Sequence, residues 1–304
     1  MCRVLAYHGT PVALDHLLFE PDNSLVTQSY APQMLGMLNL AGFGMVAWDP
    51  TSFEPERPFV YRTTQLPFFD RNLRALSAKV RARCLLAHVR GVAYSHRAVV
   101  SEQNVHPFQL PGTQLSLAHN GDLAQLSLMK QDLLEHISPP IAGAIAGTTD
   151  SEMILALLAS QLRDPARIES AEELVGAIDA TLRVIRRVRE RHGIQQSSSV
   201  NLFVSDGHHM VATRFGFDFG RYEGAPHPAN VTFLSLWYTT GRDYGLHGDE
   251  WKMVGGPARA DSVIMASEPL TRDVSTWIEV PEYSAIYVGP ASGFERARIV
   301  ELAA

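Results

Sequence analysis

Cys2-Arg3-Val4-Leu5-Ala6-Tyr7 follows Met1 directly. Residues 3–7 read as a strand that begins almost at the N-terminus. A small residue at position 2 is the kind that permits removal of the initiator methionine. The new chain end would then carry a thiol and an α-amino group on one residue. A free α-amino group titrates at roughly 7.7–8.0 and a thiol near 8.5, so the amine can relay the thiol proton near neutral pH. Nucleophile and base then share Cys2. A cysteine at position 2 is more often incidental, so this reading stands or falls on the rest of the chain.

Working outward, apolar runs bounded by turns dominate, with a few helical stretches between them. Residues 42–48 read as a second strand. Residues 70–82 have helical spacing at Leu73, Leu76 and Val80 and lead into a strand at 84–89. A short strand at 115–118 ends at the polar His119-Asn120-Gly121-Asp122. Thr149 with Glu152, and Ser170 with Glu173, fit capping boxes that open two helices, and Gly193 supplies a stop for the second. Residues 202–204 and 210–213 flank a turn at Ser205-Asp206-Gly207, as in a β-hairpin. Later strands are expected at 231–238, 263–266 and 285–288. Strand runs on both sides of paired helices indicate α+β layering, not alternating βαβ units. Residues 216–260, rich in Gly, aromatic and polar residues, are expected to form an elaborated loop within a single domain spanning 2–304.

The chain has 304 residues, 46% hydrophobic and 19% charged, which is the composition of a globular protein with a substantial core. A net charge of −6 leaves no basic excess to displace counterions, which argues against nucleic acid as a partner. The dense basic run from Arg183 to Arg191 reads as the solvated face of a helix. Two cysteines, Cys2 and Cys84, make neither a disulfide framework nor a cysteine zinc site. No apolar run reaches membrane-spanning length and no secretory leader is legible, so a cytoplasmic protein without a membrane partner is expected. Twelve histidines are present, but no His-x-x-x-His pair with an acidic third ligand emerges, so no metal or other cofactor is expected.

Three polar groups stand at the ends of expected strands. In Ala87-His88-Val89-Arg90 an apolar strand ends in a guanidinium, which suits bidentate recognition of a carboxylate; the bland alternative is a surface arginine. In Ala118-His119-Asn120-Gly121-Asp122 the Asn120 side-chain amide and the Gly121 backbone N–H can point at one oxygen, as an oxyanion hole requires. Asn-Gly is also the commonest hairpin turn. In Gly147-Thr148-Thr149-Asp150-Ser151-Glu152, Asp150 could pair with a substrate ammonium, or merely occupy the first turn of a helix, where the macrodipole favours an acid.

Taken in order, Met1-Cys2-Arg3-Val4-Leu5, Ala87-His88-Val89-Arg90, Asn104-Val105-His106-Pro107-Phe108, Ala118-His119-Asn120-Gly121 and Thr149-Asp150-Ser151-Glu152 resemble the class II glutamine amidotransferase domain of the N-terminal nucleophile hydrolase superfamily. Val204-Ser205-Asp206-Gly207 and Ala266-Ser267-Glu268-Pro269-Leu270-Thr271 extend the likeness to the stand-alone branch. That branch includes the γ-glutamyl amidase subunit of fungal glutathione degradation and the γ-glutamyl hydrolase of ergothioneine biosynthesis. Arg3-Val4-Leu5, Gln28-Ser29-Tyr30 and the stretch from Ser101 to Phe108 look closest to the former.

The resemblance implies a four-layer αββα sandwich with two antiparallel sheets and hydrolysis of a γ-glutamyl amide. It implies Cys2 as nucleophile with its α-amino group as base, Arg90 on the substrate carboxylate and Asp150 on the substrate ammonium. Asn120 and Gly121 would form the oxyanion hole, with His106 and His119 supporting the site. It also implies a small-molecule γ-glutamyl substrate and a peptidase-like or synthase partner subunit. One departure stands out. The short branch usually reads Asn-Ala-Asp-Gly before an aromatic residue and Gly, whereas this chain reads Asn39-Leu40-Ala41-Gly42-Phe43-Gly44. Loss of that acid keeps open a catalytically silent scaffolding subunit on the same fold, beside a glutaminase subunit delivering ammonia to a separate synthase.

Overall fold

Side-chain alternation gives the first strand, β1 (Arg3–Ala13), two apolar faces. Leu5 and Tyr7 enter one cluster, while Val4 and Ala6 enter another. The computed structural model describes residues 2–34, 36–92, 99–218, 234–256, 260–288 and 296–304. After β1 come α1 (Asp15–Leu18), α2 (Leu25–Tyr30), β2 (Phe43–Trp48), β3 (Phe59–Thr63), α3 (Arg71–Ser77) and β4 (Arg81–Val89). The middle of the chain supplies β5 (Phe108–Gln109), β6 (Ser116–Gly121), α4 (Leu126–Leu134), α5 (Pro139–Ala142), α6 (Asp150–Gln161) and α7 (Ala171–Arg191). Next are β7 (Ser198–Ser205), β8 (Met210–Arg214), β9 (Gly216–Phe217), β10 (Trp237–Gly241), β11 (Asp243–His247) and β12 (Glu250–Val254). The chain closes with β13 (Ser262–Ala266), β14 (Ile278–Glu279), β15 (Ser284–Val288) and β16 (Ala297–Glu301).

Among the described residues, two large antiparallel sheets and the two-stranded β11–β12 sheet result. The first runs β14-β10-β13-β1-β4-β2-β3, so β1 is central; the second runs β16-β15-β8-β7-β6-β5, with β9 on β7. Val4, Ala6, Cys84 and Leu86 from the first sheet meet Ala118, Phe203, Ala212 and Ile286 from the second in a middle core. On the outer face of the first sheet, Leu5, Tyr7, Leu85 and Ala87 pack against residues of α1, α2 and α3 and of the β11–β12 hairpin. On the outer face of the second, Leu117, Leu202 and Val204 pack under α4, α6 and α7. The expected αββα sandwich is therefore present.

Both capping residues act as read. Thr149 Oγ1 accepts the Glu152 N–H at 3.2 Å and Ser170 Oγ accepts the Glu173 N–H at 3.1 Å. The Glu152 carboxylate does not return to Thr149; it takes the N–H groups of Ala146 and Gly147 at 2.9 and 2.6 Å. Every residue of α6 from Ser151 to Ala159 is buried, whereas α7 buries the stripe Leu174, Ile178, Leu182 and Ile185. Gly193 stands at φ +61, where a helix ends without strain only on glycine.

Three expectations shift. The helix expected over 70–82 stops at Ser77, because the Val80 carbonyl is taken by the Leu14 N–H at 3.0 Å and residues 81–82 pair with β1. The basic run on α7 is not wholly a solvated face. Arg189 is 2% exposed, donates to Ser198 Oγ at 2.9 Å, pairs with Asp218 and lies over the Phe217 ring. Within 216–260, residues 219–233 and 257–259 lie outside the described residues; the rest contributes β9, β10 and the β11–β12 hairpin. Residues 231–233 of the strand expected at 231–238 fall there too, and β10 begins at Trp237.

Candidate active site

The end of β1 and the end of β4 are neighbours, since Arg3 pairs with Val89. That register sets Cys2 beside Arg90 and Gly91. Cys2 Sγ lies 3.4 Å from the Gly91 nitrogen and 3.5 Å from the Gly91 oxygen. Cys2 is 7% exposed, and burial pushes its thiol above the ordinary range, against the opposing pull of the Gly91 N–H and the Arg90 guanidinium. Arg3 holds the Cys2 carbonyl through Nη1 at 3.1 Å, and its Nε lies 3.5 Å from the fully buried Glu268 carboxylate. Glu268 in turn accepts the N–H groups of Gln33 and Met34 at 3.2 and 2.8 Å. Met1 lies outside the described residues.

Arg90 is also largely buried, with Nη1 donating to the Val99 carbonyl at 2.9 Å. Burial lowers its affinity for a proton, while Cys2 and Asp150 oppose that. The backbone of Arg90 is clasped by the segment in which the family's acid is replaced: Ala41 N–H donates to the Arg90 carbonyl at 2.9 Å, and Arg90 N–H donates to Gly42 O at 2.8 Å.

From the second sheet comes Asn120-Gly121. These residues are not a hairpin turn. β6 runs through them, with Asn120 opposite Asn201 and Gly121 opposite Val200. A Cβ on Gly121 would stand 1.8 Å from the Ser199 carbonyl oxygen and 2.6 Å from His119 Nε2, so only glycine fits. Asn120 reaches across the interior to Ser267, just past β13, with Nδ2 3.2 Å from Ser267 Oγ. Asp150 begins α6, where the macrodipole favours an acid, and its Oδ2 accepts the Leu123 N–H at 2.7 Å.

The two histidines expected to support the site differ. His119 lies on the helix side of its sheet, with Nε2 3.1 Å from the Ser199 carbonyl and Nδ1 3.0 Å from Ser151 Oγ, so Nε2 carries the proton given to that carbonyl. His106 packs on His88 in a tilted contact with ring centroids 4.1 Å apart and meets Phe108 edge-on at 4.6 Å. Burial pushes His88 down to about 3 and His106 well below its ordinary value, so both rings are neutral. Gly91 and Ser267 were not singled out from sequence. Ser267 lay in a quoted motif, but its signal, a hydroxyl between two strands, needs the sheet pairing to be read. No group of three or more His, Cys, Asp or Glu side chains able to hold a metal ion occurs among the described residues. Nor is any described helix long and apolar enough to cross a membrane.

The other cysteine offers an internal control. Cys84 is fully buried in the middle core, its thiol is pushed up to about 12 by burial, and its sulfur sits 3.3 Å from Ser205 Oγ. Iodoacetamide on the native protein should alkylate Cys2, roughly tenfold faster per pH unit between 7 and 8.5 as thiolate accumulates. Cys84 should react only after denaturation. Peptide mass mapping reads the order, and native labelling of Cys84 ahead of Cys2 would contradict this geometry.

Comparison with known proteins converges on one group. Residues 69–219 match the family described as glutamine amidotransferases class-II. The probable glutamine amidotransferase DUG3 of Saccharomyces cerevisiae is 29% identical, covering 95% of this chain and 82% of that protein. The γ-glutamyl-hercynylcysteine sulfoxide hydrolase of Mycolicibacterium smegmatis is 26% identical, covering 96% and 97%. Among solved structures, a class-II glutamine aminotransferase domain protein from Silicibacter pomeroyi superposes with TM-score 0.65 at 21% identity over 99% of both chains. The glutamine phosphoribosylpyrophosphate amidotransferase of B. subtilis gives 0.57 at 17% identity over 99% of this chain and 49% of its own length. The structural likenesses speak to the fold, and the sequence matches to descent. Residues 69–219 thus form a class-II glutamine amidotransferase domain, and the sequence relatives extend the likeness over almost the whole chain.

Proposed function

We propose that this single domain hydrolyses a γ-glutamyl amide bond through a Cys2 thioester, releasing glutamate and ammonia or an amine. The observation that carries the reading is the β1–β4 register, which sets the Cys2 thiol against the Gly91 backbone next to Arg90, with the charges of Arg90 and Asp150 both acting on that thiol. A cation and an anion flanking a thiol complement an α-carboxylate and an α-ammonium, the end common to glutamine, glutathione and other γ-glutamyl compounds. Arg90 takes the carboxylate and Asp150 the ammonium, which sets the δ-carbonyl against the Cys2 sulfur.

Sulfur attacks that carbon while the α-amino group of Cys2, freed by removal of Met1, takes the thiol proton. The carbonyl electrons move onto oxygen, where the Asn120 amide and the Gly121 N–H stabilise the charge. Collapse breaks the C–N bond, and the same amine returns the proton to the leaving nitrogen. Water then adds to the thioester, the amine again taking a proton, and glutamate departs as the sulfur is reprotonated. His119 holds the Ser199 carbonyl and His106 packs its ring against His88; neither takes a proton in this sequence. No cofactor enters it.

The names of two relatives support this class: one is a probable glutamine amidotransferase, the other a hydrolase of a γ-glutamyl compound. The reading extends to cytoplasmic action on a small-molecule γ-glutamyl substrate, alone or beside a peptidase-like or synthase subunit. The competing silent-subunit reading rests on Ala41. That backbone still clasps Arg90 without a carboxylate, which favours retained activity.

Glutamate release from glutamine, glutathione and a panel of γ-glutamyl amides tests the proposal and ranks the leaving groups. Asn120→Ala should lower turnover on the best of them by about a hundredfold or more, with little change in KM. A twofold fall would remove Asn120 from the oxyanion hole. No glutamate from any substrate, with Met1 shown by mass to be absent, would favour the silent subunit.

A further inference from the structure

The Asn120 amide, taken above as an oxyanion donor, leaves a buried group unmatched. Its Nδ2 is 3.2 Å from Ser267 Oγ, while its Oδ1, in a side chain only 2% exposed, has no hydrogen-bond partner. Ser267 Oγ already accepts the Val4 N–H at 3.0 Å. In this arrangement the hydroxyl oxygen accepts twice, its proton has no acceptor among the described residues, and a buried amide oxygen beside it has no donor. Two complementary groups left unused side by side violate the rule that buried polar atoms are satisfied. A half-turn of the terminal amide exchanges its nitrogen and oxygen with almost no change of shape.

We propose that Ser267 is the positioning residue of this site: its hydroxyl, held by the Val4 N–H, donates to Asn120 Oδ1 and so turns the Asn120 amide N–H₂ toward the reacting oxygen. The inference rests on the reading of Asn120 as an oxyanion donor. With the amide turned, Ser267 Oγ accepts once and donates once, and Oδ1 is satisfied. Nδ2 then occupies the position that has no partner in the free protein. A donor held ready with nothing to bind is what a developing oxyanion requires, because no reorganisation is needed at the moment of reaction.

Ser267 is itself fixed on both sides. Its N–H donates to the Val4 carbonyl at 3.0 Å, and its carbonyl accepts the Ser235 hydroxyl at 2.8 Å. One hydroxyl thus ties the strand that carries Cys2, two residues before Val4, to the amide on the opposite sheet. Its role is to fix orientation; it touches no reacting atom.

The test is a double-mutant cycle on the full-length protein, with a γ-glutamyl substrate whose turnover requires Cys2. Ser267→Ala should lower kcat by about 10- to 100-fold with KM within about threefold, and Ser267→Thr, which keeps the hydroxyl, should recover most of the loss. On an Asn120→Ala background, Ser267→Ala should cost less than about twofold, since the amide it orients is gone. An unchanged kcat in Ser267→Ala, or an equal loss in both backgrounds, would overturn the proposal while leaving the hydrolase reading intact.

Neutron diffraction on the perdeuterated free protein decides the orientation without any turnover. A deuteron on Ser267 Oγ directed at Asn120 Oδ1 supports the proposal, and an Asn120 N–D donated to Ser267 Oγ overturns it. Absence of Cys2-dependent turnover on every substrate would sink the hydrolase reading and, with it, the catalytic purpose assigned to Ser267.

Discussion

Cys2→Ala should abolish Cys2-dependent glutamate release, lowering kcat by at least about a thousandfold under saturating substrate. The size follows from what the substitution removes. Without the sulfur there is no thioester, and the remaining groups can only hold a substrate against solvent water. Binding should survive, because Arg90 and Asp150 are untouched and Cys2 contributes only a small volume to the pocket. Isothermal titration with glutamate or a slow γ-glutamyl analogue should therefore give a Kd within severalfold of the wild type. Cys2→Ser is the informative intermediate. Its hydroxyl is a far weaker nucleophile, so any residual turnover should still depend on the free amine and fall when Met1 is retained behind an inserted bulky residue. Glutamate release within tenfold of the wild type in Cys2→Ala would end the thioester mechanism.

Acidification should destabilise the fold steeply. His88 is fully buried and His106 nearly so, and burial holds both well below 6.5, His88 at about 3. Below 6.5 the unfolded chain binds protons that the folded chain refuses. Their contribution is therefore fully present above about pH 6.5 and is lost as the pH falls toward the folded values. Each ring costs about 1.4 kcal/mol per pH unit in that window, so the pair costs about 2.7 kcal/mol per unit. Against a total stability of roughly 5–15 kcal/mol, two pH units are a large share. Urea midpoints at pH 7.5, 6, 5 and 4.5 read the slope, and His88→Leu, which cannot take a proton, should flatten it by about half. A midpoint constant from pH 6.5 to 4.5 would contradict the neutral, buried state of these rings.

How much of this was legible beforehand depends on the range of the interaction that decides each feature. Local signals were sufficient for the two helix starts at Thr149 and Ser170 and for the turn after β7, because capping and turn chemistry act within a few residues. Asn120-Gly121 looked like a turn locally. It is a strand because Val200 and Asn201, some 80 positions on, pair with it. Residues 78–82 kept a helical spacing until β1 claimed residues 81–82 as a partner. Arg189 resembled its exposed neighbours, and only the Asp218 carboxylate and the Phe217 ring mark it as interior. Order along the chain was enough to nominate Cys2, Arg90, Asn120 and Asp150. Ser267 required the cross-sheet geometry.

Cys2 immediately precedes β1 of one sheet and Asn120 lies on the other, so the gap between the proposed attacking sulfur and the proposed oxyanion donor follows the filling of the middle core. In that core Ala6, Ala118 and Ala212 contribute single methyl groups beside the larger Leu86, Met265 and Phe203. Face-to-face sheets pack about 10 Å apart, and their separation follows side-chain bulk. On the proposed mechanism, the distance from sulfur to oxyanion donor has a mechanical gauge in the middle core. Divergent members of such a lineage could retune rate by exchanging alanines for larger or smaller neighbours there, without altering one group that the substrate touches.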